Sequence, residues 1–221
     1  NDYTMLLKKI AEKNKPILLS TGMSDLNQIK SSIKIVENHW KKFNKTKPYL
    51  ILLHCVSSYP TPLEFSNIMA INVLSKLGYC VGYSDHTLGI ESAILSVALG
   101  VKVIEKHFTM SKNFSDFRDH KLSLEPKEFR IFVDKIREAK KIMGKNKKEI
   151  LDVELDTLKN AKRSICASKN LQKGKILTLN DLICLRPSGG IKPGQEVLII
   201  GKRLKTTKEF GDQIYLDDLG K

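Results

Sequence analysis

Residues 81–119 constrain the fold most: an apolar run ends in Tyr83-Ser84-Asp85-His86-Thr87, small and apolar residues of helical character follow, and the β-branched run Val101-Lys102-Val103-Ile104 leads into Glu105-Lys106-His107. This reads as strand, helix, strand, with polar residues closing each strand. A connection of this length makes the strands parallel, and parallel strands deliver their loops to a shared mouth at their carboxyl ends. His86 and His107 are therefore predicted to be neighbours in space, with Asp85 and Glu105 beside them. Two imidazoles and two carboxylates at one rim form a partial shell for a first-row divalent metal. The same residues also read as a capping Asp, a core histidine and a surface histidine, and spacing alone leaves both readings open.

The rest of the first two thirds repeats the pattern. Residues 3–14 form an amphipathic helix with Leu6, Leu7 and Ile10 on one face; a buried-strand run from Pro16 to Leu19 then ends in Ser20-Thr21-Gly22-Met23. A helix over 25–43 places Ile29, Ile33, Val36 and Trp40 at helical spacing, and a strand over 49–55 ends in Val56-Ser57-Ser58-Tyr59-Pro60. Helices are predicted over 67–77 and 126–143, the latter opened by Pro126 and Glu128. Strands alternating with helices argue for a parallel α/β sheet. Eight such units close into a barrel of about 250 residues, so the four read here make half of one, and half a barrel alone exposes two sheet edges. A chain that opens inside a helix reads as part of a longer protein.

Beyond Lys148 the pattern changes. Residues 146–162 read as a charged linker, and strand-like runs at 163–168, 176–177, 196–200 and 213–216 follow, with turns at 172–175 and 192–195. A β-rich module of this size has a marginal core.

The 221 residues are 41% hydrophobic, enough for a packed core, and 38 Lys and Arg against 24 acidic residues give a net charge of +14. The lysines spread over helical faces without the interleaved aromatics of a single-strand binder, which argues against nucleic acid; the positive field suits an anionic substrate such as a phosphorylated carboxylate. Cys55, Cys80, Cys166 and Cys184 show no CxxC spacing and read as buried thiols of a reducing compartment. No apolar run reaches the roughly 20 residues of a membrane span and no signal peptide is read, so a cytoplasmic location is expected.

GYSDHT, IEKHFT, DH and SLEP, preceded by KPILLSTGM and LLHCVSSYPTP, resemble the sialic acid synthase family, which makes nine-carbon acidic sugars from phosphoenolpyruvate and an N-acetylated hexosamine, here expected to be of the N-acetylmannosamine type. The resemblance implies a TIM barrel of which residues 1–145 supply only the last four βα units. It also implies an antifreeze-like domain over 163–221, recognisable in RSICASKNLQKGKILTLNDLICLRPSGGIKPG. His86 and His107 match the family's metal-binding histidines, usually for manganese, with magnesium or cobalt as alternatives. Glu105 and Asp119 are the implied catalytic carboxylates, holding sugar hydroxyls or orienting the histidines. Lys15, Ser20, Thr21, Ser57, Tyr59 and Ser84 are candidates for phosphoenolpyruvate, whose carboxylate and phosphate call for cations and hydroxyl donors. Arg186 matches an arginine that reaches toward the N-acetyl group in the partner subunit, which implies a homodimer. Two departures stand out. Ser57 occupies a position where many members carry Asn, and Phe117-Arg118-Asp119-His120 replaces the usual Gly-Pro-Asp-His. The second lies on the sugar-facing loop and keeps legionaminic or pseudaminic acid open as the product. This chain by itself is expected to be inactive, and a non-catalytic binding or assembly module is the reading from another class.

Overall fold

The computed structural model describes residues 2–43, 48–116 and 118–220. The chain divides into two compact units, Asn1–Lys145 and Asn146–Lys221.

In the first unit the order is α1 (Thr4–Ala11), β1 (Ile17–Ser20), α2 (Leu26–Phe43), β2 (Leu50–His54), α3 (Ala70–Ser75), β3 (Cys80–Asp85), α4 (Glu91–Ala98), β4 (Val103–Lys106) and α5 (Pro126–Met143). The strands form one parallel sheet in sequence order, β1-β2-β3-β4, as the alternation predicted. Local signals explain the boundaries. Asp25 and Gln28 each accept the other's backbone N–H, at 2.8 and 2.9 Å, which closes the first turn of α2. Helix α5 starts on Pro126, and Glu128 reaches back to the Glu125 N–H at 2.9 Å. Helix α3 is shorter than predicted, because Asn67 takes φ 44° before it and Gly78 takes φ 80° after it.

Alternation divides the sheet into two faces. Ile17, Leu19, Leu50, Leu52, Val81 and Tyr83 point to one face and join Ile29, Ile33, Val36 and Trp40 of α2, Ile71 and Leu74 of α3, and Phe132 of α5 in a single core. Each such apolar side chain contributes about 1.5–3 kcal/mol when fully buried. Leu18, Ser20, Ile51, Leu53, Gly82, Ser84 and Glu105 point to the other face, which is more open: Leu18 is 50% exposed, and Ser20 and Glu105 are exposed. Leu53 is buried there because Gly82 opposite has no Cβ; one would run into its side chain and lie 2.6 Å from the Val103 carbonyl.

The second unit contains α6 (Leu155–Ala161), β5 (Ser164–Ala167), β6 (Leu182–Leu185), β7 (Arg203–Leu204) and β8 (Leu219–Gly220), with β5–β6 and β7–β8 antiparallel. Its core is Ile165, Ala167, Leu171, Leu177, Ile191, Ile199, Leu204 and Ile214. Several sequence expectations change here. Residues 146–162 carry α6, a helix with no buried residue whose Lys159 carbonyl accepts from the Ser188 N–H and hydroxyl. The run at 196–200 is a 3-10 turn over Glu196–Leu198, since only Ile199 is buried in it while Val197 is 80% exposed. Residues 176–177 and 213–216 make single bridges, Ile176 to Arg203 and Gln213 to Cys166, instead of strands. The pattern missed β6 because all four of its residues are half-buried and do not alternate.

The four cysteines are free; Cys55 and Cys166 are buried, Cys80 and Cys184 half-buried. Among the described residues no helix is long and apolar enough to cross a membrane.

Candidate functional site

The register that sets Ser84 opposite Glu105 and Asp85 opposite Lys106 carries the two following histidines to the same rim. Their ring centroids are 5.3 Å apart in an edge-on arrangement, and the Tyr59 ring is tilted against His86 at 4.3 Å and meets His107 edge-on at 5.8 Å. The predicted neighbourhood of the two imidazoles is therefore present.

His86 is buried, and its Nδ1 lies 2.7 Å from the Val56 carbonyl. A carbonyl only accepts, so Nδ1 carries a proton, and in the neutral imidazole Nε2 then keeps its lone pair. Ser84 Oγ lies 3.3 Å from that Nε2 but donates its single proton to Glu105 Oε1 at 2.5 Å. His86 thus presents a bare Nε2, the form of a metal-ligating imidazole whose other nitrogen is oriented by a carbonyl. His107 has 30% of its side chain exposed, and its Nδ1 is 3.7 Å from Asp119 Oδ2. Burial, with the adjacent His86, holds the His107 imidazole below the usual histidine range against the upward pull of Asp119. It is neutral at pH 7, as a ligand must be. Burial also raises the Tyr59 hydroxyl above its ordinary value, with Cys55, Asp119 and Glu105 adding to the rise, so it remains a proton donor.

The remaining predicted residues fall into groups. Ser84, Glu105, Tyr59 and Asp119 gather at the rim with the histidines. Ser20 stands at the carboxyl end of β1, and Ser57 packs over Gly22, where a Cβ would run into its hydroxyl. Thr21 spends its N–H and its hydroxyl on the Leu53 carbonyl, at 3.0 and 2.8 Å, and has no donor left for a ligand. Lys15 precedes β1, so it stands at the amino end of the sheet, a strand length from the rim. Asp85 is likewise not a metal ligand, because it is wholly buried in a salt bridge with Lys106. Arg186 is exposed at the end of β6 in the second unit. Phe117 of the altered loop motif lies outside the described residues. Among the described residues, no cluster of three or more His, Cys, Asp or Glu is spaced to hold a metal; the donors brought together at the rim are the two imidazoles.

Lys106, which is not among the predicted site residues, pairs with Asp85; the two stand at equivalent positions, each one residue before a histidine.

Residues 1–148 match the NeuB family and residues 162–220 match the SAF domain. The chain belongs to the NeuB family. This NeuB-family chain is 39% identical over 93% of its length to N,N'-diacetyllegionaminic acid synthase of Legionella pneumophila, covering 57% of that protein. It is 32% identical over 94% of its length to human N-acetylneuraminate-9-phosphate synthase, covering 56% of it. Among solved structures, it resembles N-acetylneuraminic acid synthetase of Leptospira borgpetersenii in complex with citrate, with 35% identity, a TM-score of 0.62, and coverage of 70% of this chain and 52% of that one. The NeuB-family chain therefore spans under two thirds of the length of these relatives.

Proposed function

We propose that the natural protein carrying this chain condenses phosphoenolpyruvate with an N-acetylated hexosamine, giving a nine-carbon sialic acid-like sugar and phosphate. The observation that carries this reading is the pair of facing imidazoles, with Nε2 of His86 bare, beside a carboxylate oriented by Ser84, in a NeuB-family chain. In domain terms, residues 1–145 supply the last four βα units of a TIM barrel, 146–162 join, and 163–221 form the antifreeze-like module.

In the reaction, C3 of phosphoenolpyruvate bonds to the aldehyde carbon of the open-chain sugar, water adds at C2, and phosphate leaves with cleavage of its C–O bond. His86 and His107 would hold a divalent ion, manganese by family resemblance, which when bound polarises the aldehyde oxygen as a Lewis acid. Glu105 accepts a hydrogen bond from the Ser84 hydroxyl on one oxygen and keeps the other for a sugar hydroxyl. Asp119 orients His107 from its Nδ1 side. Hydroxyls of Ser20, Ser57 and Tyr59 face the phosphoenolpyruvate side of the rim, and Tyr59, protonated at neutral pH, donates to an anionic oxygen. Arg186 serves a partner subunit's site, which makes the working enzyme a homodimer.

A second observation bears on the acceptor. Identity is higher to the legionaminic synthase, 39%, than to the human N-acetylneuraminate-9-phosphate synthase, 32%, and the sugar-facing loop departs from Gly-Pro-Asp-His. We therefore assign a di-N-acetylated hexosamine as the preferred acceptor. Product mass from parallel incubations with a mono- and a di-N-acetylated hexosamine tests this: a condensation product chiefly from the second supports it, and one chiefly from the first overturns it.

A further inference from the structure

The same two strands carry another polar pair, whose side chains point away from Ser84 and Glu105 to the helix-covered face. Asp85 immediately precedes His86, and Lys106 immediately precedes His107. Lys106 Nζ lies 2.9 Å from Asp85 Oδ2, and both side chains are completely enclosed. Lys106 also donates to the Thr87 carbonyl at 2.5 Å. Asp85 Oδ1 accepts from the Thr87 N–H at 2.9 Å, the Thr87 hydroxyl at 2.8 Å and the Tyr83 hydroxyl at 3.2 Å. The strand that carries His107 thus grips the residues on both sides of His86. The next layer adds to this, since the Thr61 N–H donates to the His86 carbonyl at 2.9 Å.

A buried ion pair is weak evidence for stability, because desolvation offsets its attraction. A fully bonded one does supply fixed geometry. Two side chains that share one ion need their placement held to within about 0.5 Å, and these imidazoles sit on different strands.

We propose that Asp85 and Lys106 are positioning residues, a buried clamp that sets the spacing and orientation of the His86 and His107 imidazoles while touching no ligand. The consequence for metal affinity rests on the reading of that histidine pair given above.

The test uses the natural protein and three variants: His107→Ala, Lys106→Met, and Asp85→Asn combined with Lys106→Met. Lys106→Met leaves the buried Asp85 without its counter-charge and can fail to fold. The double variant removes both charges and keeps the volume, so it carries the test. Two quantities are measured, the imidazole nitrogen signals in metal-free protein by NMR and manganese affinity by electron paramagnetic resonance. The clamp predicts displaced signals for both histidines in a folded double variant, and manganese binding about 10- to 100-fold weaker. Unmoved imidazole signals overturn it whatever the melting temperature does. So does unchanged manganese affinity where His107→Ala has lost it. If the wild type and His107→Ala bind manganese equally weakly, the metal reading itself has failed, and the metal-free imidazole signals still decide the clamp.

Discussion

On adjacent residues of the same two strands, the sheet carries two polar pairs of opposite character. Asp85–Lys106 is sealed on the helix-covered face, with every polar atom bonded inside the protein. Ser84–Glu105 lies on the open face, and Glu105 is exposed with an oxygen to spare. The alternation of one strand thus sends a fully bonded pair to one side and a pair with a spare acceptor to the other. A polar pair that is fully satisfied by its neighbours has nothing left to offer a ligand, whereas one with spare acceptors does.

The largest expected effect lies at the rim itself. In the natural protein, His86→Ala or His107→Ala abolishes metal-dependent phosphate release, and a near-normal rate in either would break the distinction between the faces. Glu105→Gln comes next: turnover falls about 10²- to 10⁴-fold, as for a lost acid or base. Its stability stays within about 0.5 kcal/mol because the group is exposed. Lys106→Met gives the reverse pattern in urea unfolding, a loss of about 3–5 kcal/mol from the uncompensated buried carboxylate. If Glu105→Gln destabilised the fold as much as Lys106→Met, the two pairs would not differ in kind.

The smallest effect concerns a sealed carboxylate in the second unit. Burial pushes the Asp181 carboxyl up, but the Thr178 hydroxyl and N–H, with Lys169 and Lys175, overcome this and hold it at about 2. Because the folded value is depressed below the ordinary 3.8, its stabilising contribution is present above pH 3.8 and is lost as pH falls from there through about 2. Asp181→Ala costs about 1 kcal/mol, the usual cost of a lost cap, and removes that acid dependence. Unfolding of the natural protein followed by a probe in this unit, at neutral and acid pH, measures both.

Much of this was legible in the sequence. Pro126 and Gly144 bracket α5, and its predicted span of 126–143 matches the helix found. The meeting of His86 and His107 followed from parallel strands alone. The failures share a cause: sequence shows which residues are near one another in the chain, but not which end or face they occupy. Lys15 adjoins β1 yet stands at its amino end. Thr21 looked like a donor, but its hydroxyl is turned onto Leu53. Lys106 adjoins Glu105 in the chain, but its partner is Asp85, one strand over. In the second unit, short half-buried strands such as β6 lack the alternation that would reveal them.

The most direct test of the account is phosphate release by the natural protein, stripped with a chelator and supplied with phosphoenolpyruvate and a di-N-acetylated hexosamine. The account predicts no phosphate until manganese is restored, and none when the sugar is omitted. Release without the sugar, or full release from the metal-stripped protein, would contradict it.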